Sequence, residues 1–230
     1  DYSGFGRCSI AVELPIISAL KVQCCPLPTS ILSNHTGFES FYFEDFTESM
    51  PAYIKEWEKL NLKFDGICTG FLGSHKQIEI VRYFFDIFKT PDNIVVVDPV
   101  MGNLYATYTK ETCEEMKKLV SYANILTPNL TEACILTGRE YNAEYGNEEL
   151  EIIAKQLSDM GPSKIVITGI VAADIVVADG VTDSKLIDKN VSTIVTINII
   201  PSTRYLELTF LSDFLILSPF LYKLVDCQFQ

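Results

Sequence analysis

The chain has 230 residues, and 48% of them are hydrophobic, which provides enough apolar surface for a core and excludes a disordered chain. The formal net charge is −12, and this acidic balance argues against a nucleic-acid partner, because binding a phosphate backbone needs a basic face. Seven cysteines form no C-x-x-C pair, so we expect reduced thiols, mostly packed as small hydrophobic side chains, in a cytoplasmic protein. The apolar C-terminal stretch contains Glu207, Asp213 and Pro219, so no transmembrane helix is predicted.

The first half of the chain alternates between helical and extended patterns. Residues 3–8, "SGFGRC", read as a glycine-containing loop. Apolar spacing and flanking prolines or glycines then predict, in order, a helix over 9–20, a strand over 22–32, a helix over 50–60, a strand and turn over 61–72, and a helix over 75–89.

The second half continues the alternation and contains the most diagnostic strand. The run "NIVVVDPV" (93–100) is continuously apolar, as expected of a strand buried on both faces of a parallel sheet. The remaining elements are predicted as a helix over 110–123, a short strand over 124–129, a helix from 130 to a stop at Gly138, a helix over 147–161, and a strand over 164–170. This order predicts one α/β domain over 1–230, with helices on both faces of a mostly parallel sheet.

Polar segments follow most of the predicted strands, where such sheets bind their ligands. They are "SNHTG" (33–37), "TGFLGS" (69–74), "DPVMGN" (98–103), "TPNLTE" (127–132) and "TGI" (168–170). A carboxylate at Asp98 can orient Mg²⁺ or position a phosphate, although Asp-Pro also simply ends strands. Asn129 and Glu132 lie three residues apart and suit a hydrated Mg²⁺ and a phosphate oxygen, or else a plain helix cap. His35 and Thr36 are either ligand contacts or part of a turn.

In this order the motifs "SGFGRCS" (3–9), "SNHTG", "TGFLGS", "DPVMG", "LTPNLTEA" (126–133) and "VITG" (166–169) resemble those of the pyridoxal kinase family of the ribokinase-like superfamily. The resemblance covers residues 1–170 and is lost after about residue 195. It implies a three-layer α/β/α fold, phosphorylation of the 5′-hydroxymethyl group of a B6 vitamer with ATP and Mg²⁺, and a homodimer. A hydroxymethylpyrimidine kinase shares much of the "DPVM" and "TPN…E" pattern and is the alternative enzyme; "SNHTG" favours pyridoxal.

The resemblance also implies roles for individual residues. The vitamer would be contacted by Ser3, His35, Thr36 and Phe71, the last replacing a tyrosine that is frequent in the family and so keeping a stacking role without the hydroxyl. The nucleotide would be bound by Asp98, Tyr105, Asn129 and Thr168, and Mg²⁺ would be held near Asp98 and Glu132.

Three departures from the family bear on activity. The family has a complete strand before the aspartate at position 1, and this chain lacks it; only Asn103 and Leu104 separate "MG" from Tyr105, where the family has an acidic residue and a glycine-containing loop. The family's "GTGD" turn, which supplies an anion hole and a general base, is absent, since Gly180 is the last glycine. Asp213, in "LSDFL", is therefore not assigned the catalytic role.

Three explanations of the C-terminal departure are open. The chain is a catalytically dead binding protein, it lacks residues of the native protein, or its coding sequence carries a frame slip. Degenerate back-translation of residues 203–216 in shifted frames gives an approximate glycine-rich turn followed by an aspartate, although two separate one-base offsets are needed. Sequencing the DNA across codons 195–230 distinguishes the last explanation from the others.

Overall fold

The computed structural model describes residues 1–101, 110–170 and the backbone of 193–198. These residues divide between two compact units, one that contains residues 1–57 and one that covers residues 58–200. The single domain expected over 1–230 stays a prediction, because compact units within a chain need not fold independently.

The first unit contains a small mixed sheet with the strand order β1-β2-β3, in which β1 pairs with β2 in parallel and β3 pairs with β2 in antiparallel. Its elements are β1 (Tyr2–Phe5), α1 (Ile10–Ala19), β2 (Ser30–Asn34), β3 (Phe43–Asp45) and the start of α2 (Met50–Lys59).

Two sequence-based assignments in this unit are wrong in detail. The segment predicted as a loop from residue 3 begins as strand β1, because Ser3 and its neighbours pair with β2, a long-range contact that local turn residues do not reveal. Strand β2 begins at Ser30 and not at residue 22, since Pro26 and Pro28 have no N–H group to donate to a ladder. Strand β3 was not predicted.

The second unit is built on a five-stranded sheet with the order β4-β5-β6-β7-β8. Its strands are β4 (Gly66–Thr69), β5 (Ile94–Val97), β6 (Ile125–Leu126), β7 (Lys164–Ile170) and β8 (Thr193–Asn198). The first four run parallel, and β8 is antiparallel to β7. The mostly parallel α/β sheet predicted from the sequence is confirmed, while β8 was not predicted.

Among the described residues, four helices accompany this sheet: α3 (His75–Phe88), α4 (Lys110–Val120), α5 (Leu130–Thr137) and α6 (Asn147–Ser158). Helix α3 packs against α4, α5 packs against α6, and both α5 and α6 contact β7. Strand β5 is buried along Val95, Val96 and Val97, which confirms the interpretation of the continuous apolar run. The core of this unit thus lies along the parallel strands, and their carboxyl ends share one edge.

The described parts of the chain bear on two expectations from composition, although the apolar C-terminal stretch with Glu207, Asp213 and Pro219 lies outside them. None of their helices combines the length and apolar composition needed to cross a bilayer. None of the six cysteines in them forms a disulfide; only Cys8 and Cys134 are buried, whereas Cys25 and Cys68 are exposed. The prediction that the cysteines are mostly packed as small hydrophobic side chains is therefore wrong for this set.

Candidate active site

The carboxyl edge of the parallel sheet gathers polar side chains, as the strand pattern predicts. Thr69 ends β4, Asp98 follows β5, Thr127 follows β6 and Thr168 lies near the end of β7. The N–H of Thr127 donates to the carbonyl oxygen of Val97 at 3.0 Å, so the ladder extends one residue beyond β6. Sheet register therefore brings side chains from separate motifs to one edge.

Asn129 and Glu132 form a reciprocal capping box at the start of α5. The Oδ1 of Asn129 accepts from the N–H of Glu132 at 2.9 Å, and Glu132 Oε2 accepts from the N–H of Asn129 at 2.8 Å. The plain-cap alternative considered for this spacing is thus present in the structure. Two N–H groups at the start of the helix are satisfied in this way, which stabilises such a helix by about 1 kcal/mol.

Glu132 also has a contact outside its own helix. Its Oε1 accepts from the N–H of Met101 at 3.3 Å, and the residue is only 4% exposed. Each carboxylate oxygen therefore accepts one backbone N–H, from Asn129 on one side and from Met101 on the other. The carboxylate fixes the segment after β5 against the start of α5, a link that the sequence pattern did not reveal.

Thr168 lies beside this cap. Its N–H donates to the carbonyl oxygen of Pro128 at 2.9 Å, and Asn129 and Thr168 form a parallel bridge. The Thr168 side chain is buried at 2% exposure, with its hydroxyl oxygen 3.5 Å from the same carbonyl, longer than an ordinary hydroxyl hydrogen bond. The structure therefore brings together Asn129, Glu132 and Thr168, which the family resemblance assigned to the nucleotide and metal.

Asp98 comes directly after buried β5 and is itself partly exposed. The described residues contain no group of three or more His, Cys, Asp or Glu side chains arranged to enclose a metal ion. Mg²⁺ is usually held by one or two carboxylates together with substrate phosphates, so a partly exposed aspartate at a strand end fits this ion. Tyr105, the remaining residue assigned to the nucleotide, lies outside the described residues, as does Asp213.

Thr69 was not among the predicted site residues. It is 7% exposed, and its Oγ1 has no hydrogen-bond partner in the described structure. A buried hydroxyl without a hydrogen-bond partner costs free energy. Such a hydroxyl therefore indicates local strain, or a partner that is present only at another stage of the reaction. The available signal was its place at the end of an apolar strand, in "ICTG".

In the first unit, Ser3 is held close to Asp1. Ser3 is 1% exposed, and its Oγ lies 3.5 Å from Asp1 Oδ2. Ser9 donates to Asp1 Oδ1 at 2.7 Å and has a φ of 52°, which is uncommon for a residue other than glycine. The aspartate thus joins β1 to the start of α1, and Ser9 is a member of this cluster that sequence reasoning missed.

The "SNHTG" turn places its two assigned side chains differently. Thr36 is exposed, whereas His35 is partly buried and its ring packs on Phe38 with centroids 4.6 Å apart. The Nδ1 of His35 accepts from the N–H of Gly37 at 3.1 Å. Phe71, in the second unit, is partly buried. A Cβ added to Gly73 would lie 3.6 Å from the Phe71 ring.

A hollow on the surface of the first unit lies next to this turn. It is lined by Phe5, Asn34, Phe38, Glu39 and Ser40. The rings of Phe5 and Phe38 are 5.6 Å apart and tilted by 52°, and the Asn34 Nδ2 donates to the carbonyl oxygen of Ser40 at 2.9 Å. The hollow thus combines two aromatic rings, a fixed amide and one carboxylate.

Solved structures with this fold define the class of protein. A Bacteroides thetaiotaomicron protein assigned as a phosphomethylpyrimidine kinase superposes with a TM-score of 0.73 at 44% identity, over 75% of this chain and 61% of that one. A second crystal form of it, with pyridoxal, gives a TM-score of 0.71 at 45% identity, over 76% and 62% of the two chains. Pyridoxal kinase from Lactobacillus plantarum shares the fold, with a TM-score of 0.70 at 24% identity over 89% and 72% of the two chains. The fold is that of the ribokinase-like α/β kinases, as predicted.

The family follows from sequence comparison. The phosphomethylpyrimidine kinase family matches residues 10–203, and the chain belongs to that family. Among curated relatives, the pyridoxal kinase of Arabidopsis thaliana is 31% identical over 161 residues, which is 67% of this chain and 51% of the relative. The predicted resemblance to pyridoxal kinases is thus confirmed, and the chain spans about half the length of the curated relatives it matches.

Proposed function

We propose that the protein to which this chain belongs transfers the γ-phosphoryl group of ATP to the 5′-hydroxymethyl group of pyridoxal or a related B6 vitamer. The observation that carries the proposal is the pyridoxal held by the 45% identical Bacteroides protein. Pyridoxal kinases among the curated relatives, including one from Actinobacillus pleuropneumoniae that is 34% identical over 159 residues, support the same reaction.

The edge of the parallel sheet is assigned to the nucleotide. The start of α5 is the positive end of a helix dipole, a favourable environment for phosphate oxygens. Asn129 and Thr168 lie at this helix start, and Asp98 lies at the end of neighbouring β5. Catalysis by such an arrangement consists of positioning the phosphoryl group and neutralising its charge.

Asp98 is the residue we assign to Mg²⁺, which when bound would neutralise charge on the transferred phosphoryl group. Glu132 has both carboxylate oxygens engaged by N–H groups of Asn129 and Met101. It therefore contributes mainly by fixing these two segments, and a metal contact would have to use the lone pairs that remain.

Ser3, His35, Thr36 and Phe71 are assigned to the vitamer.

Catalysis needs a general base and an anion hole as well, and the sequence contains no "GTGD" turn to supply them. We infer that a chain without these groups is impaired by about 100-fold or more in turnover, while vitamer and nucleotide binding persist.

The deciding experiment measures ATP-dependent phosphorylation of pyridoxal, pyridoxine, pyridoxamine and hydroxymethylpyrimidine, with binding of each measured by calorimetry. We expect pyridoxal to bind and to be phosphorylated slowly, and Asp98→Asn to weaken Mg²⁺-dependent ATP binding while Asp86→Asn, on α3, leaves it unchanged. No binding of any B6 vitamer would overturn the proposal. Rapid turnover would overturn only the inferred impairment.

Hydroxymethylpyrimidine kinase is the second candidate. It is favoured by the matching family description and by an Arabidopsis thaliana thiamine biosynthetic enzyme that is 28% identical over 176 residues. Preferential phosphorylation of hydroxymethylpyrimidine in the same assay would select this reaction. A chain that binds ligands without any turnover would be a catalytically dead homologue.

Two properties of the whole protein belong to the same proposal. We infer a homodimer, which sedimentation equilibrium tests, and a cytoplasmic location, which subcellular fractionation tests. A monomer at micromolar concentration would contradict the first, and recovery in a membrane or secreted fraction would contradict the second.

A further inference from the structure

The imidazole of His35 occupies a space that exists only because two neighbouring residues are glycines. A Cβ on Gly6 would lie 2.3 Å from His35 Cδ2, and a Cβ on Gly37 would lie 2.9 Å from both Cε1 and Nδ1. Both distances are shorter than side-chain carbons tolerate, so the ring is confined from two sides. Gly6 belongs to the segment after β1, and Gly37 belongs to the turn after β2.

Hydrogen bonds fix the same contact. The N–H of His35 donates to the carbonyl oxygen of Phe5 at 3.2 Å, and the N–H of Phe38 donates to the carbonyl oxygen of His35 at 3.3 Å. Because Nδ1 accepts from the N–H of Gly37, the neutral imidazole carries its proton on Nε2. The ring is thus held in one position and one tautomer.

The two aromatic rings that line the hollow belong to residues next to these two glycines. Phe5 immediately precedes Gly6, Phe38 immediately follows Gly37, and the His35 ring packs directly on Phe38. The hollow is lined by Phe5 and Phe38, while His35 is not among its lining residues. The imidazole thus contacts this wall without itself lining the hollow.

We propose that His35 is a positioning residue, whose imidazole is wedged between Gly6 and Gly37 and holds Phe5 and Phe38 as an apolar wall for a flat heteroaromatic ring. The ligand chemistry rests on the proposed function, since a B6 vitamer is such a ring, whereas the wedge itself does not. The assignment differs from a direct contact between the imidazole and the vitamer, and the two roles can be separated experimentally.

Conservative variants separate the positioning role from direct contact, because asparagine and glutamine mimic different ring nitrogens of histidine. The amide oxygen of His35→Asn replaces Nδ1 and keeps an acceptor for the N–H of Gly37, whereas His35→Gln places its amide near Nε2. A positioning role predicts that His35→Asn retains most pyridoxal affinity and that His35→Gln loses about tenfold or more. The reverse order would overturn the proposal in favour of direct contact.

A double-mutant cycle tests the steric part. Gly37→Ala should displace the ring and weaken pyridoxal binding about tenfold, while His35→Ala/Gly37→Ala should bind no more weakly than His35→Ala alone. ATP affinity should stay unchanged in all of them. Gly66→Ala, whose added Cβ would meet nothing closer than Ile94 O at 3.6 Å, is the matched control for a glycine substitution. Additive losses would overturn the wedge.

A spectroscopic measurement decides the wedge even if no vitamer binds. The chain contains only two histidines, so His75→Gln leaves a single imidazole signal. Long-range ¹H–¹⁵N spectra at alkaline pH should show the Nε2–H tautomer, and Gly37→Ala should shift these signals. An Nδ1–H tautomer, or a spectrum unmoved by Gly37→Ala, would overturn the proposal independently of the proposed function.

Discussion

At the residue scale, the carboxylate of Glu132 connects the segment after β5 with the start of α5. A glutamine can accept only through its single amide oxygen, so one of the N–H groups of Asn129 and Met101 would lose its partner. We expect Glu132→Gln to lower the free energy of unfolding by about 1–3 kcal/mol. Urea denaturation measures it.

The start of α6, where only the glutamate half of a capping box is present, supplies a matched control. Glu149 Oε2 accepts from the N–H of Gly146 at 2.6 Å, but Glu149 is exposed. Glutamine serves equally well in such a cap, so Glu149→Gln should change the stability by less than about 0.5 kcal/mol. Equal losses at the two positions would show that burial and the second N–H partner of Glu132 contribute nothing.

A second prediction at this scale concerns acid stability. Lys118 donates to the Glu115 carboxylate and, together with Arg82, lowers the pKa of Glu115 below its usual value. A lowered carboxyl pKa stabilises the folded chain above the unfolded-state pKa of about 4.3, and this stabilisation is lost as pH falls through the folded value. Lys118→Met should therefore move the Glu115 titration to higher pH, as followed by carboxyl ¹³C shifts.

Lys117→Met controls for the loss of one positive charge on α4, because Lys117 pairs with Glu114 at 3.1 Å and not with Glu115. The Glu115 titration should move less in this variant. The accompanying change in stability should be small, because ion pairs that are open to solvent are screened and ordering their long side chains costs entropy.

At the element scale, two helices are followed by glycines with positive φ that differ in their surroundings. Gly138, at the end of α5, has φ 71° and open space around an added Cβ. Gly161, beyond α6, has φ 138°, and a Cβ there would lie 2.9 Å from the Ser121 carbonyl oxygen. We expect Gly138→Ala to cost about 1 kcal/mol through backbone strain alone, and Gly161→Ala to cost more.

Chemical denaturation of both variants and of Gly66→Ala checks the order. Gly66 lies in β4, where its backbone is not left-handed, so its substitution reports the effect of an added methyl group without that strain. A Gly138→Ala variant as unstable as Gly161→Ala would mean that the contact with Ser121 relaxes without cost.

The helices and buried strands were predictable because their signals are local. The spacing in α3 and the apolar run of β5 need no distant partner to be recognised, and Gly138 was correctly predicted as the stop of α5. Strands β1 and β3 could not be predicted in this way, since pairing with β2 determines them and β3 is exposed along its whole length. Propensity carries little information for such strands.

The same distinction applies to the candidate site. The residue types at Asp98 and Asn129 and their places after strands were readable from the motifs, and the parallel sheet brings their segments to one edge. The hydrogen bond from Met101 to Glu132 joins residues 31 positions apart, and the contact of His35 with Gly6 joins residues 29 positions apart. No spacing rule in a single sequence identifies contacts of that kind.

At the scale of the whole molecule, the described residues of the two compact units differ in how many hydrophobic side chains they bury. Within residues 1–57 the buried hydrophobic side chains are Cys8, Leu32, Met50 and Ile54, whereas the second unit buries the apolar residues of its strands and helices. We expect a segment of this length with so small a core to be too weakly stabilised to fold alone.

We therefore expect heat denaturation of the complete chain to show one cooperative transition, with the circular dichroism of the helices and the fluorescence of Trp57 changing together. Ile54→Ala and Phe85→Ala, one buried side chain from each unit, should lower that same midpoint. Two separate transitions, each sensitive to one substitution only, would contradict the single domain predicted over the chain.

The strand order of the second sheet bears on how the chain is made. Each strand from β5 to β8 pairs with the strand that precedes it along the chain. A nascent chain leaving the ribosome can therefore add each new strand to an edge that has already formed, without waiting for a distant segment to be synthesised. Growth of the sheet in the direction of synthesis limits the time for which each new edge stays uncovered and open to other nascent chains.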